Sequence, residues 1–143
     1  MSQDLNDVIL FQIEKTSKTA KQYSQKEFDR IGLGITVDQW VLMKIIEKHQ
    51  PLSQKELAIQ SLRDPASITR TLDLLEKKGH IERATIVDNR RQYNISLTPA
   101  GEKFVSDNMQ MVDAHRLQST KGFTNAELKQ LTELLSRIQQ NMT

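Results

Sequence analysis

Hydrophobic residues recur at helical spacing along the first third of the chain. Between positions 4 and 31 the apolar residues follow a period of about 3.6, which predicts a long first helix that ends at the glycine-rich segment 32–34. Thr36 and Gln39 have the spacing of a capping box, in which each side chain satisfies the other residue's backbone amide. A second helix is therefore expected over residues 37–48.

Two shorter helices are expected next, each with its own start signal. Ser53 begins a second capping-box pattern, and Asp64-Pro65 supplies an N-cap followed by a residue suited to the first helical position. The pattern assigns Leu57, Ala58 and Leu62 to the apolar side of the third helix, and Ile68, Leu72 and Leu75 to that of the fourth. Two helices joined by a tight turn form a helix-turn-helix.

The pattern then changes from helical to alternating. Tyr93, Ile95 and Leu97 are spaced by two, which predicts a strand, and residues 81–86 are the expected partner strand. The polar residues 87–92 between them should form the hairpin tip. Two further helices are predicted after this two-stranded wing, beginning near Thr98-Pro99 and Thr124. The fold class is thus mainly α, a winged helix-turn-helix between long N- and C-terminal helices.

Size and composition restrict the class of protein further. The chain has 143 residues, no low-complexity linker and no apolar run of membrane-spanning length, so we expect a single cytoplasmic domain over residues 1–143. It has no cysteine, which excludes disulfides and thiol chemistry. The formal net charge is +2, and residues 53–91 contain eight basic and six acidic residues, so the whole positive excess lies in this segment.

The fourth helix carries the candidate chemistry on the side opposite its apolar residues. A helix-turn-helix places its second helix in the DNA major groove, where an arginine can bond guanine through two hydrogen bonds. Arg70 is therefore the best base-reading candidate, with Ser67 as a donor or acceptor and Ala66 as an apolar neighbour for a thymine methyl. Arg90 and Arg91 at the wing would approach a minor groove, whose negative potential attracts arginine.

Other classes of function have less support. The three histidines are far apart, and none has an acidic residue three or four positions away along its own predicted helix, so neither a metal site nor any other cofactor is predicted. The sequence contains no nucleophile motif and no glycine-rich phosphate loop, so an enzyme is not expected. The alternative that stays open is a winged-helix adaptor whose basic wing binds acidic protein surfaces and not DNA.

An ordered set of motifs resembles the winged-helix region of the MarR family of bacterial transcription regulators. The matching segments are Gln39-Trp40-Val41-Leu42, Leu52-Ser53-Gln54-Lys55-Glu56-Leu57-Ala58, Ile68-Thr69-Arg70-Thr71-Leu72-Asp73, Leu75-Glu76-Lys77-Lys78-Gly79, Arg90-Arg91 and Leu97-Thr98-Pro99-Ala100-Gly101. The flanking helices also follow the family's layout, so the resemblance extends over essentially the whole chain.

The resemblance implies a homodimeric, sequence-specific regulator that binds double-stranded DNA at a pseudo-palindromic operator. It implies a DNA-binding lobe over residues 35–98 and dimerisation helices over 1–31 and 99–143. Ala66, Ser67 and Arg70 would then contact bases, Ser53 and Thr69 would approach phosphates, and Arg91 would be the wing arginine. Asn89 departs from the family's Asp-x-Arg pattern, because its amide offers only a neutral hydrogen bond where a carboxylate would offer a charged one.

Repression relieved by a small aromatic or phenolic effector is the regulatory expectation. The resemblance places an effector pocket between the dimer helices and the winged helix, with Val37, Trp40 and Met43 as its neighbours. The residues alone favour core packing for Trp40 and Met43, because tryptophan and methionine at helical spacing usually fill a core.

Overall fold

Six α-helices and one small sheet make up the part of the chain that is described. The structure is a computed structural model that describes residues 4–86 and 89–143, with the backbone alone described for residues 86 and 89–92. A short 3-10 helix, Leu5–Asp7, comes first. The α-helices are α1 (Ile9–Arg30), α2 (Val37–His49), α3 (Gln54–Ser61), α4 (Pro65–Lys77), α5 (Pro99–Ser119) and α6 (Asn125–Asn141), and the strands are β1 (Leu52–Ser53), β2 (Ile81–Ile86) and β3 (Asn89–Leu97).

The capping residues account for most of the helix starts. Thr36 and Gln39 form both hydrogen bonds of the predicted capping box before α2, and Thr124 with Glu127 does the same before α6. These bonds satisfy backbone amides that have no partner inside a helix, which fixes where each helix begins. The predicted helix starts at Thr36 and Thr124 are confirmed.

The predicted first helix differs from the observed structure at its beginning. The side chain of Asp4 accepts a hydrogen bond from the backbone of Asn6 and caps the short 3-10 helix. Val8 then has an extended conformation, with φ −82° and ψ 118°, and α1 begins only at Ile9. The spacing of the apolar residues Leu5, Val8 and Ile9 does not reveal this interruption, because the same spacing fits one continuous helix.

The sheet contains the predicted wing and one additional strand. Strands β2 and β3 pair antiparallel from Ile81 opposite Leu97 to Thr85 opposite Tyr93, and a register shift follows between Thr85 and Ile86. The two residues of β1 pair with the other edge of β3, with Leu52 opposite Ile95. The sheet order is β1-β3-β2, so the segment that enters α3 is hydrogen-bonded to the wing. A strand of two residues is too short to give an alternating pattern.

Two local predictions are wrong. The hairpin tip was expected over 87–92, but β3 begins at Asn89, which pairs with Ile86. Leu62 was expected on the buried side of the third helix, but it is 93% exposed and ends α3 with a left-handed φ of 59°. Its side chain thus points into solvent at the turn of the helix-turn-helix.

The described chain forms two compact units, Met1–Met109 and Gln110–Thr143. In the first unit a continuous core joins α2, α3, α4 and the sheet. Its fully buried members include Leu42, Met43, Ile46, Leu57, Ile68, Leu72, Leu75 and Ile95. In the second unit α6 has no buried residue, although its sequence is strongly amphipathic. Within the described residues, no helix is both long and apolar enough to cross a bilayer.

Candidate nucleic-acid interface

Helix α4 presents one face to the core and the opposite face to solvent. Ile68, Leu72 and Leu75 are completely buried, as the spacing predicts. The helix starts at Asp64, whose carboxylate accepts hydrogen bonds of 2.9 Å from both the backbone amide and the hydroxyl of Ser67. These two hydrogen bonds, of which the one from the backbone amide contributes more, hold the pKa of Asp64 below its ordinary value. The cap is therefore charged at neutral pH.

The exposed face of α4 carries the predicted base-contacting residues. Ala66 and Arg70 are exposed, and Ser67 is half-buried. Among the described residues no hydrogen bond or ion pair engages the Arg70 guanidinium, so its five N–H donors are available to a ligand. The Ser67 hydroxyl donates its hydrogen to Asp64, which leaves this oxygen as an acceptor only.

The two proposed phosphate-approaching residues lie at the start of α3 and on the exposed face of α4. Ser53 caps α3, since its oxygen accepts a 3.1 Å hydrogen bond from the Glu56 amide, and its hydroxyl hydrogen can still be donated. Thr69 is exposed and donates to the carbonyl of Pro65 at 3.0 Å. Thr69 can therefore donate to a phosphate only if its hydroxyl rotates away from that carbonyl.

Gln54 is a residue that sequence reasoning missed. Its side-chain amide donates a 2.6 Å hydrogen bond to the Thr69 hydroxyl, so it links the first residue of α3 to the exposed face of α4. The second amide hydrogen of Gln54 remains for a ligand. A polar residue directly after an N-cap is the available sequence signal, but that signal does not reveal a contact between helices.

A groove of about 520 Å³ lies beside the first turn of α4. Its lining comes from α3 and its N-cap, from the first residue of α4 and from the wing strand β3. The lining residues are Ser53, Gln54, Lys55, Ala58, Ile59, Pro65 and Tyr93. The groove thus adjoins the hydroxyl, amide and ammonium groups at the start of α3.

The wing is connected to α4 by an ion-pair cluster. Arg83 of β2 lies 2.5 Å from a carboxylate oxygen of Asp73, and its Nε is 3.4 Å from a carboxylate oxygen of Glu76. The Arg83 side chain is only 16% exposed, whereas the two carboxylates are about half exposed. The sequence does not reveal this pairing, because Arg83 and Asp73 belong to different elements.

The side chains of Arg90 and Arg91 lie outside the described part of the structure. Their backbone belongs to β3, near the end of the wing. The expected contribution of these arginines, and the effect of Asn89 before them, therefore stays a prediction.

The three residues named for an effector pocket lie in or beside the core. Trp40 and Met43 are buried, and the indole packs against Phe28 and Phe104 with ring centroids 6.3 and 6.4 Å away. The half-buried Val37 donates its backbone amide to the side chain of Gln25. The indole Nε1 is buried and has no hydrogen-bond partner among the described residues. Core packing accounts for Trp40 and Met43, and the pocket itself stays a prediction.

Within the described residues, no group of three or more histidines or carboxylates could hold a metal ion. Helices α2, α3 and α4, followed by the β2–β3 hairpin, define a winged helix-turn-helix. This is the class of protein that the fold and the site indicate.

Comparison with known proteins gives a family match over the winged-helix part of the chain. Residues 35–93 match the family model described as the MarR family. A MarR/EmrR family regulator from Acinetobacter sp. ADP1 is 21% identical, with a TM-score of 0.88 and 98% of both chains covered. This part of the chain therefore matches the MarR family, and the chain shares the fold of the Acinetobacter regulator.

Two structures of similar fold contain DNA. A cysteine-to-serine mutant of MarR from E. coli, complexed with operator DNA, is 24% identical over 96% of this chain and 99% of that one, with a TM-score of 0.84. A MepR–DNA complex from S. aureus is 22% identical over 94% and 98% of the respective chains, with a TM-score of 0.83.

Proposed function

We propose that this protein binds double-stranded DNA in a sequence-specific manner, as a homodimer on a pseudo-palindromic operator. The observation that carries the proposal is the exposed face of α4, where Arg70 has no partner among the described residues and stands opposite a completely buried face. The major groove is wide enough for one helix, and guanine offers two acceptors to a guanidinium. The DNA-bound E. coli and S. aureus structures of the same fold add support.

Exposed apolar residues near the two ends of the chain support the homodimer. In the single chain, large hydrophobic side chains of the terminal segments remain 43–70% exposed. They are Leu5, Ile9, Leu10, Leu117, Phe123, Leu131, Leu134 and Met142. An amphipathic helix without a buried residue, such as α6, needs a partner to cover its apolar face. Light scattering at micromolar concentration should give twice the mass of the chain, and a monomeric mass would refute the dimer.

Two copies of α4 in a symmetric dimer should contact successive major grooves. Their half-sites are expected about one helical turn, or roughly 10 base pairs, apart. The protein would then act in the cytoplasm as a repressor, and a small aromatic or phenolic effector would relieve repression. Such an effector works only as far as its affinity differs between the DNA-binding and non-binding conformations.

The first experiment is fluorescence anisotropy with randomised duplex DNA at about 0.15 M salt, followed by selection and sequencing of the bound fraction. Enrichment of a palindrome supports the proposal. If the purified dimer does not bind duplex DNA, with or without aromatic effectors, the proposal fails and the adaptor interpretation replaces it. A reporter gene placed behind the selected operator then distinguishes repression from activation.

Arg70→Ala tests the base contact directly. Loss of a two-bond arginine–guanine contact should weaken operator binding by roughly 1–3 kcal/mol and relax base preference at one position in each half-site. Arg30→Ala is the matched control, because it also removes one arginine charge, but from α1, where Arg30 pairs with Glu27. An unchanged base preference for Arg70→Ala would exclude Arg70 as a base reader.

A further inference from the structure

The ion-pair cluster at Arg83 joins two elements that are expected to reach DNA separately. Asp73 and Glu76 are three residues apart, so their carboxylates occupy adjacent positions on one side of α4. The guanidinium of Arg83 contacts both. One strand residue thus spans nearly a full turn of the helix that carries Arg70.

Strand β2 transmits this connection to the rest of the wing. It pairs with β3 from Ile81 to Ile86, so the two strands form one ladder. The base of the wing is fixed separately, since the Thr98 hydroxyl donates to the Gly79 carbonyl at 2.6 Å. The ion pairs of Arg83 attach the wing to α4 at a second point, two residues after the start of β2. Two points of attachment restrict rotation of the wing about its base.

The charges of the cluster would be unfavourable for DNA binding if they acted only as charges. Asp73 lies three residues after Arg70, and a carboxylate near a phosphate backbone repels it. Arg83 would contribute more to phosphate binding if it were free of Asp73 and Glu76. A structural task for the cluster is therefore the better explanation of these residues.

We propose that Arg83 is a positioning residue for DNA recognition: it binds Asp73 and Glu76 and so fixes the wing against α4 at the angle at which both contact one duplex. This inference rests on the proposed DNA-binding function. It makes Asp73 and Glu76 part of the same device, although neither would touch DNA through a favourable contact.

Asp73→Asn separates this role from simple electrostatics by the sign of its effect. Removal of a negative charge beside the DNA predicts tighter binding, whereas release of Arg83 predicts weaker binding. We expect the operator Kd to rise roughly threefold to tenfold, the effect of losing a partly buried ion pair that orders two elements. Glu82→Gln is the matched control, because Glu82 neighbours Arg83 in β2, is exposed, and lies outside the cluster. It should leave the Kd unchanged or lower it by up to about threefold.

A double-mutant measurement excludes a merely structural effect. If Arg83 sets the wing angle, Arg91→Ala should cost clearly less affinity in the Asp73→Asn protein than in the parent protein, because the wing is already misplaced. General destabilisation would leave the Arg91 effect equal in both, provided that urea unfolding shows both proteins to be folded at the assay temperature. Asp73→Glu, which keeps the carboxylate, should restore most of the affinity.

The outcomes distinguish this inference from the function on which it rests. If the parent protein does not select an operator, the proposed function fails. If the parent binds and Asp73→Asn binds equally well or more tightly, the function stands and the positioning role of Arg83 is wrong. Equal Arg91 effects in both proteins would also overturn it.

Discussion

The close approach of Gly101 to His80 allows a prediction for the substitution Gly101→Ala. Helix propensity favours this substitution, whereas tertiary packing opposes it. Gly101 lies in the first turn of α5 and is buried. A Cβ atom placed there would lie 2.0 Å from the backbone oxygen of His80 and 2.9 Å from its carbonyl carbon. The first distance is about 1.4 Å shorter than the 3.4 Å at which ordinary contact begins. Backbone atoms cannot rotate away as a flexible side chain would, so the chain itself must move.

The expected change in the free energy of unfolding follows from two opposing contributions. Alanine is favoured over glycine inside a helix by about 1 kcal/mol, which alone predicts that Gly101→Ala is stabilising. Overpacking costs about 1–3 kcal/mol, and a clash with backbone belongs at the upper end of that range. We therefore expect a net loss of about 2 kcal/mol in the free energy of unfolding.

Urea unfolding followed by circular dichroism measures this difference at one fixed protein concentration, because the stability of the proposed dimer would depend on concentration. Ala100→Gly is the control: Ala100 is exposed and adjacent, so this change should cost only the glycine penalty of about 0.5–1 kcal/mol. If Gly101→Ala were as stable as the parent or more so, the close approach of α5 to His80 would be refuted.

Three further predictions concern other positions. Leu62→Asn should stabilise the fold by roughly 0.5–1 kcal/mol in urea unfolding, since asparagine tolerates the left-handed conformation that strains leucine. Leu62→Ala, which keeps the strain, should give no such gain. Burial against Phe104, with a smaller contribution from Lys78, lowers the pKa of His80, so the fold favours the neutral imidazole. The stability that the neutral His80 imidazole contributes is complete above the ordinary pKa of 6.5 and is lost as pH falls below that value. In unfolding measured against pH, His80→Gln should reduce this loss of stability at low pH. Arg91→Ala should weaken DNA binding across many sequences and reduce the salt slope of log K by about 1, and unchanged salt dependence would contradict a wing–DNA contact.

Local signals in the sequence predicted the elements well where a cap and a period coincide. Helix α4 begins one residue after Asp64, as the Asp64-Pro65 pair indicates, and its buried face is the predicted one. The start of β3 was misplaced because charged and amide residues at 89–92 resemble a turn, although a strand at the end of a hairpin needs no apolar side chains. Leu62 was misassigned because side-chain character does not report the φ angle of a helix end.

The polar contacts of the candidate site could not be predicted in the same way. Gln54 with Thr69 and Arg83 with Asp73 are pairs that come together only when separate elements pack. The periodicity of apolar residues describes one element at a time. It does not predict which polar residues of two neighbouring elements contact each other. The exposure of Arg70, by contrast, follows from the helical period of α4 alone, and its contact with DNA stays a prediction.

The order of the sheet leaves β2 as an outer strand with one edge of backbone groups that no strand of the described sheet occupies. Such edges can recruit strands of other molecules and begin aggregation, and charged side chains on the edge strand oppose this. The exposed Glu82 puts a charge on β2, while β1, at the opposite edge, has only two residues. The charge on β2 and the shortness of β1 thus oppose extension of the sheet into a fibre.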